Sequence, residues 1–285
     1  MTTIGYYPGC SLSGTAGEYG RSLKAVAGKM GVELREIPDW VCCGATSAHA
    51  IDHATTLALA GDTLAKARKA GMTEVLAPCA MCYQRLAAAA QEFGRRPKMM
   101  ATAMAAMGES ASLDVQNIKT LSLLQWLGQV PGESIKQWVI KPLTGLKVAC
   151  YYGCLLVRPG KITGETEMET PRGMENIIAA LGGQSVRWSM ALECCGGSFA
   201  LSRKSVVLRQ GQRIVEAART AGADVICLAC PMCHSNLDVR QAEFVEDACK
   251  QLPVVYLTQL MGVAMGIDED AIGFKGHFVP VVIGP

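Results

Sequence analysis

Short apolar runs alternate with longer segments of helical periodicity along the whole chain. In the first half, the apolar runs predict strands at 3–7, 32–37 and 74–77, and the periodic segments predict helices at 16–30, 48–70 and 81–93. In the second half, the same reasoning predicts strands at 146–151, 185–188 and 224–228, with helices at 173–181, 200–221 and 232–252. Strands that alternate with helices of this length are typical of parallel sheets covered by helices.

The two halves carry the same motifs in the same order. Cys42-Cys43-Gly44 corresponds to Cys194-Cys195-Gly196, and Cys79-x-x-Cys82 corresponds to Cys230-x-x-Cys233. These motifs are offset by 152 and 151 residues, whereas Cys10 and Cys154 are only 144 residues apart. The second half therefore contains extra residues between its first cysteine and its cysteine pair, and segment 160–173, rich in Gly, Thr, Glu and Pro, is the predicted insertion.

These patterns predict an α/β fold of two pseudo-symmetric halves, each a parallel sheet flanked by helices. We place the first domain at 1–140 and the second at 146–285, with the Pro- and Gly-containing segment 131–144 as the connector. Cys10 and Cys79 follow predicted strands, and ligands of parallel sheets bind at the carboxyl ends of the strands. Each half is therefore expected to hold a ligand there, with tight turns at the neighbouring glycines Gly9, Gly44, Gly153 and Gly196.

Composition and charge narrow the class of protein. Half of the residues are hydrophobic and 18% are charged, which is enough for a substantial core. The net charge of +2 includes no basic stripe, so nucleic acid is not an expected partner. The N-terminus has no signal-peptide pattern, and the longest weakly charged apolar run, 253–267, is shorter than the roughly 18 residues that a membrane span needs. We expect a cytoplasmic protein without a membrane span.

Thirteen cysteines are then unusual, because disulfides are rare in the cytoplasm. Ten of them form two sets with nearly the same spacing: Cys10, Cys42, Cys43, Cys79, Cys82; and Cys154, Cys194, Cys195, Cys230, Cys233. Cys150, Cys227 and Cys249 fall outside both sets and are interpreted as ordinary buried residues. Cysteines in such numbers indicate metal binding or catalysis.

Five thiols per set favour an iron–sulfur cluster over zinc, because zinc takes four ligands in a tetrahedral site. Adjacent cysteines diverge along the backbone and chelate a single ion poorly, whereas a polynuclear centre offers them different iron atoms. Soft thiolate ligands suit both metals, so zinc and plain dithiol chemistry stay open as alternatives.

Three stretches of the sequence resemble the B subunit of heterodisulfide reductase, and both cysteine sets resemble the cysteine-rich CCG domain. The stretches are 40–49, 149–159 and 230–238, and the likeness extends over nearly the whole chain. The resemblance implies one noncubane [4Fe-4S] cluster in each half, two [2Fe-2S] units that share an iron and are held by the five cysteines of each set.

The resemblance also implies thiol–disulfide redox chemistry, with the disulfide held between the two clusters. Two clusters suit this reaction, because disulfide reduction takes two electrons and each cluster delivers one. The alternatives are a component of a cytoplasmic sulfur-oxidation complex that acts on sulfane sulfur, and an electron-relay subunit without its own substrate.

Electrons must reach the chain from elsewhere, because it has no ferredoxin motif and no dinucleotide fingerprint. We therefore expect two partners. One resembles the C subunit of heterodisulfide reductase, which carries cubane clusters, and the other resembles the A subunit, which is a flavoprotein.

Three further residues are candidates for catalysis. His49 and His234 lie beside cysteine motifs and are interpreted either as proton donors or as histidines bonded to the backbone. Arg158 follows Cys154 and is a candidate for binding an anionic substrate, with a solvated arginine as the alternative.

Overall fold

The computed structural model describes residues 2–45, 48, 51–106 and 115–283. It contains two four-stranded parallel sheets, with strand orders β2-β1-β3-β4 and β6-β5-β7-β8. The strands are β1 Thr2–Tyr6, β2 Val32–Glu36, β3 Glu74–Leu76, β4 Lys119–Leu121, β5 Lys147–Cys150, β6 Gln184–Ser185, β7 Val225–Leu228 and β8 Val254–Tyr256. The identical order of the strands confirms the α/β fold with two similar halves.

Helices cover both sheets. In the first half they are α1 Gly9–Leu12, α2 Gly17–Lys29, α3 His53–Lys69, α4 Ala80–Arg95, α5 Pro97–Ala106, α6 Leu123–Gly128 and α7 Gly132–Lys136. In the second half they are α8 Gly160–Thr163, α9 Gly173–Ala180, α10 Lys204–Thr220, α11 Pro231–His234, α12 Leu257–Ala264 and α13 Glu269–Ile272. None of the helices in the described ranges is long and apolar enough to cross a membrane.

Each sheet has one strand more than the sequence pattern predicted. β4 and β8 are only three residues long. The sequence pattern does not separate β8 from α12, because one apolar run covers both. Both strands extend their sheets next to the strand that leads into a Cys-x-x-Cys motif. They therefore complete the sheet beside the cysteines.

The long helix predicted at 232–252 is wrong. The chain forms the short helix α11, a π turn at Ser235–Val239 and isolated 3₁₀ turns instead. Polar side chains in this segment bind backbone groups elsewhere: Asp238 accepts hydrogen bonds from the amides of Phe278 and Val279, and Gln241 accepts one from the amide of Leu252. These tertiary hydrogen bonds replace the helical ladder.

The two halves share one hydrophobic core. Helix α2 buries Tyr19, Leu23 and Val26, spaced as one face of a helix, and packs against α12 and α13 of the second half. The predicted insertion, which contains α8, packs on the first half: Gln125 donates a hydrogen bond of 2.7 Å to the carbonyl of Thr163. The extra residues of the second half therefore help to hold the halves together.

Candidate metal centre

The cysteines of each predicted set lie at the carboxyl edge of one sheet. We call them the first cysteine group (Cys10, Cys42, Cys43, Cys79, Cys82) and the second cysteine group (Cys154, Cys194, Cys195, Cys230, Cys233). Cys10 and Cys79 follow β1 and β3, and Cys154 and Cys230 follow β5 and β7. All ten are free thiols. The fold therefore gathers the ten predicted ligands in two places.

The sulfur atoms within each group are close together. The Sγ atoms of Cys43 and Cys82 are 3.4 Å apart, and those of their counterparts Cys195 and Cys233 are also 3.4 Å apart. The Sγ atoms of Cys154 and Cys194 are separated by 3.6 Å. Three cysteines of each group are buried, whereas Cys10, Cys42 and Cys194 are exposed and Cys154 is half-buried. Each group thus has a buried base and an open mouth.

One tyrosine in each half supports the cysteine pair. Tyr7 donates a hydrogen bond of 2.8 Å to the carbonyl of Val41, the residue before Cys42. Tyr151 donates one of 2.6 Å to the carbonyl of Glu193, the residue before Cys194. Burial, and then the charges of the neighbouring cysteines, raise the pKa of both phenols, so both stay protonated as donors.

Two glycines let the backbone pass close to the sulfurs. Gly9 and Gly153 have positive φ values of +62° and +63°. A Cβ atom at Gly9 would lie 3.0 Å from the Sγ of Cys82, and one at Gly153 would lie 3.4 Å from the Sγ of Cys233. Gly44 and Gly196 also have positive φ, so the tight turns predicted at all four glycines are confirmed.

Thiolate character is unevenly distributed within the groups. Hydrogen bonds from the thiols of Cys42 and Cys82 lower the pKa of Cys43 to about 3, against the effect of burial. In the second group, a hydrogen bond from Cys154 lowers the pKa of Cys194 to about 6. Hydrogen bonds from Cys233 and Cys79 lower the pKa of Cys230. Thiolates are the form in which cysteine binds metal.

The two cysteine groups adjoin each other. Cys79 of the first group and Cys230 of the second are both buried, and each affects the pKa of the other. The hydroxyl of Tyr19 lies 3.3 Å and 3.2 Å from the carbonyl oxygens of Pro78 and Ala229, the residues that precede these two cysteines. A small cavity of about 30 Å³ lies at the second group, and Ala80 and Met81 of the first half contribute to its wall. Residues from both halves therefore line the site, which lies at the boundary between them.

A donor set of five soft thiols, partly ionised, with a buried base and an open mouth fits an iron–sulfur cluster. The glycine cradle at Gly9 and Gly153 is consistent with this, because any side chain there would occupy space against a ligand sulfur. Zinc alone would leave a fifth thiol unused in each group.

Arg158, one of the predicted site residues, lies in a surface cleft near the second cysteine group. The guanidinium of Arg158 pairs with Glu169 at 2.7 Å, and both residues line a surface cleft. Tyr152 lines both this cleft and the cavity at the second cysteine group, so the two spaces are neighbours. His49 lies outside the described residues.

His234 is buried next to Cys233 and faces β8. Its Nε2 lies 3.1 Å from the carbonyl oxygen of Val254 and 3.2 Å from Nδ1 of His277. Its ring stacks on Tyr256, with centroids 4.5 Å apart. Burial and the neighbouring His277 lower the pKa of His234 to about 3, so the imidazole is uncharged at neutral pH.

The nitrogens of His234 and His277 and a carboxylate oxygen of Asp238 are close enough to resemble a metal site. Protein groups satisfy them instead. Gln259 accepts a hydrogen bond from the amide of Tyr256 through Oε1, which leaves its Nε2 to donate to Nε2 of His277 at 2.8 Å. Nδ1 of His277 then carries the proton and donates to Val254 at 2.9 Å. This nitrogen is not free to bind a metal.

The remaining cysteines are not part of the site. Cys150 and Cys227 face each other in the register of β5 and β7 and are fully buried, which confirms their interpretation as core residues. Cys249 is exposed in a 3₁₀ turn, so the prediction that it is buried is wrong. The polar turns that replace the predicted helix bring it to the surface.

Sequence reasoning missed two polar residues at the site. Asn236 donates hydrogen bonds to the carbonyl of Cys195 at 3.3 Å and to its Sγ at 3.5 Å. Arg85 occupies the corresponding place in the first half, because each lies three residues after the last cysteine of its group. A comparison of the two repeats beyond their cysteines would have found this pair.

Two parallel sheets that each present five cysteines at the strand carboxyl edge define a cysteine-rich redox protein. The chain belongs to the CCG cysteine-rich domain family, whose profile matches it at residues 4–87 and again at 148–238. Residues 40–49 and 230–238, which suggested the family from the sequence, include cysteines of both groups.

Two relatives extend over nearly the whole chain. The 8-methylmenaquinol:fumarate reductase membrane anchor subunit of Wolinella succinogenes is 33% identical over 276 residues, or 96% of each chain. The B subunit of the ferredoxin/F420H2-dependent CoB-CoM heterodisulfide reductase of Methanosarcina acetivorans is 28% identical and covers 98% of this chain and 94% of its own. Both likenesses span both halves.

A crystal structure of a hypothetical protein from Helicobacter pylori has the same fold. It superposes with a TM-score of 0.75 at 13% sequence identity and covers 99% of this chain. This chain spans 52% of that structure. The likeness shows the fold alone.

Proposed function

We propose that the chain is the iron–sulfur catalytic subunit of a heterodisulfide reductase-like complex, which reduces or forms a disulfide. Each cysteine group would hold one [4Fe-4S] cluster of the noncubane type. In this proposal the domains keep the boundaries 1–140 and 146–285, and the active centre lies where they meet.

The observation that carries this proposal is that the two cysteine groups adjoin: one hydroxyl, that of Tyr19, lies within hydrogen-bond distance of the residues before both Cys79 and Cys230. When bound, the clusters would supply electrons one at a time and iron atoms that bind thiolate sulfur. A disulfide has two sulfur atoms that must accept one electron each, so two adjoining metal sites match the reaction better than two distant ones. The chain itself holds them together through the fully buried Tyr19, which bonds to the residues before both cysteines.

The other site residues take supporting roles. We propose that Arg158 binds an anionic part of the substrate from the cleft next to the second cysteine group, which requires it to exchange its partner Glu169. Glu169 is 80% exposed, so this exchange costs little. The buried contacts of His234 with Val254 and Tyr256 favour a positioning role over proton delivery. His49 stays a proposed proton donor.

Partner chains would supply or remove the electrons. We propose an iron–sulfur protein that resembles the C subunit of heterodisulfide reductase and a flavoprotein that resembles the A subunit. We also propose a cytoplasmic location, because cysteines that bind iron–sulfur clusters must stay reduced, as thiols do in the cytoplasm. The reaction could run reductively or, with sulfane sulfur, oxidatively.

An anaerobic assay tests the catalytic proposal. The purified chain is mixed with a reduced viologen dye and supplied with either CoB-CoM heterodisulfide or a simple symmetric disulfide. We expect disulfide-dependent oxidation of the dye, and its loss in Cys79→Ser and Cys230→Ser. A protein that contains its iron and sulfide but oxidises no dye with any disulfide would contradict a catalytic role.

The relative from Wolinella succinogenes favours a second candidate, an electron-relay subunit without its own substrate. In that case a partner chain would carry the active site, for example one that reduces fumarate. The relay predicts that the clusters are reduced and reoxidised by the partner at the same rate with and without disulfide. The catalytic proposal predicts that disulfide speeds their reoxidation.

A further inference from the structure

The two cysteine groups differ in charge at one pair of corresponding positions. Arg85 lies on α4, three residues after Cys82, and Asn236 lies three residues after Cys233. Residues three apart on a helix share a face, so Arg85 lies on the same side of α4 as Cys82. The Sγ of Cys82 is in turn 3.4 Å from the Sγ of Cys43.

In the described ranges, no carboxylate forms an ion pair with Arg85. Its Nε is buried and has no hydrogen-bond partner among the described residues. Burial lowers the pKa of Arg85, and the charge of Cys43 opposes that shift. A partly buried guanidinium without an acceptor is costly, and a negatively charged group next to it removes the cost.

The second cysteine group has no such charge at the corresponding place. Asn236 is buried and approaches Cys195, the counterpart of Cys43, with an uncharged amide. The largest charge effects on Cys154 and Cys194 come from other cysteines. The pseudo-symmetric site is therefore electrostatically asymmetric.

We infer that Arg85 and Asn236 set the two clusters at different reduction potentials, with the first cluster at the higher potential. This inference rests on the proposed presence of two clusters, but not on a disulfide substrate. A nearby positive charge stabilises the form of a cluster that has gained an electron, because reduction adds one negative charge and no bond changes. Electrons that enter the chain would therefore collect first in the half that contains Arg85.

Potentiometric titration followed by electron paramagnetic resonance tests the inference. The signals are assigned with Cys43→Ala and Cys195→Ala, each of which is expected to remove one cluster. In Arg85→Gln we expect the reduction equilibrium of the first cluster to become about tenfold less favourable, or about 59 mV for one electron, with the second cluster unchanged. Arg85→Lys keeps the charge and should keep the potential.

Equal shifts in Arg85→Gln and Arg85→Lys, or no shift in Arg85→Gln, would overturn the inference. If Arg85→Gln loses iron, Asn236→Lys provides the test. The added charge should raise the potential of the second cluster by a similar amount, and an unchanged potential would refute the role of charge. Iron and sulfide analysis of the unsubstituted chain separates this outcome from failure of the proposed function. If the clusters are present but no disulfide reacts, the proposed function is refuted, and the inference about the two potentials is not affected.

Discussion

The rings of Tyr19 and Tyr256 stack across the boundary between the halves, with centroids 4.1 Å apart and planes inclined by 4°. The hydroxyl of Tyr19 lies 3.3 Å from the carbonyl oxygen of Pro78 and 3.2 Å from that of Ala229. These carbonyls precede Cys79 and Cys230, so one fully buried side chain links the same position of both cysteine groups. Burial raises the pKa of Tyr19, which keeps its single proton available for the two acceptors.

Replacing Tyr19 with phenylalanine should lower the free energy of unfolding by about 1–2 kcal/mol, because two buried carbonyls lose their shared donor while the ring stack stays. Urea denaturation measures this change. Iron content should stay near that of the unsubstituted protein, because no ligand is removed.

Tyr83→Phe is the matched control. Tyr83 is also buried and donates at 3.4 Å to the carbonyl of Thr163 across the same boundary, but that carbonyl also accepts a hydrogen bond from Gln125 at 2.7 Å and so keeps a donor in the variant. We expect it to cost at most about half as much. Equal losses of unfolding free energy in the two variants would show that the hydrogen bonds to the carbonyls before the cysteines do not stabilise the protein more than an ordinary bond across the boundary.

Gly9→Ala should reduce the iron content by about half, because its Cβ would lie 3.0 Å from the Sγ of Cys82 at a φ of +62°. The positive φ alone costs about 1–2 kcal/mol for a residue with a side chain. Iron and sulfide analysis after anaerobic purification measures the loss.

Gly31→Ala controls for backbone strain, because its φ is +76° and no atom lies within 4 Å of the added Cβ. It should lower stability similarly and keep all of its iron. Gly153→Ala, with 3.4 Å to the Sγ of Cys233, should retain more iron than Gly9→Ala. Equal iron contents in Gly9→Ala and Gly31→Ala would show that crowding against the Sγ of Cys82 does not displace the cluster.

His277 should make the protein less stable in mild acid. Burial lowers its pKa from 6.5 to about 4, so the folded state resists protonation while the unfolded state takes up a proton as the pH falls below about 6.5. Its stabilising contribution is complete above pH 6.5 and is lost towards pH 4. Between pH 7 and 5.5 the loss amounts to about 1 kcal/mol.

His277→Gln cannot take up this proton, so its unfolding free energy should fall less between pH 7 and 5.5. The neighbouring Asp238 acts in the opposite direction, because burial raises its pKa to about 6, and it is present in both proteins. His234 is also common to both and lies 3.2 Å from His277. Identical pH dependence in the two proteins would contradict the assignment to His277.

Much of the fold follows from local pattern and internal repetition. The alternation of apolar runs and helical segments predicts six of the strands, and the spacing of the cysteine motifs predicts the pseudo-symmetry. β4 was missed because Lys119–Leu121 contains a single apolar residue, and β8 was missed because its apolar residues run on without a break into α12. The helix predicted at 232–252 failed because Asp238 and Gln241 bind distant backbone groups, which local periodicity does not reveal.

The site was predictable to the extent that it consists of cysteines. The structure brings the ten predicted ligands together in two groups, but the closeness of the two groups depends on how the halves pack. That packing rests on Tyr19, Ser22 and Gln84, whose partners are far away in the sequence. No motif marks these residues.

Metal analysis of three anaerobically purified proteins, the unsubstituted chain, Cys43→Ala and Cys195→Ala, shows whether the chain holds two separate iron–sulfur centres. We expect about eight irons and about eight acid-labile sulfides in the unsubstituted chain, and about half of each in both variants, because each variant loses one ligand of one four-iron group. Zinc in place of iron in the unsubstituted protein, or loss of all iron in either variant, would contradict two separate iron–sulfur centres.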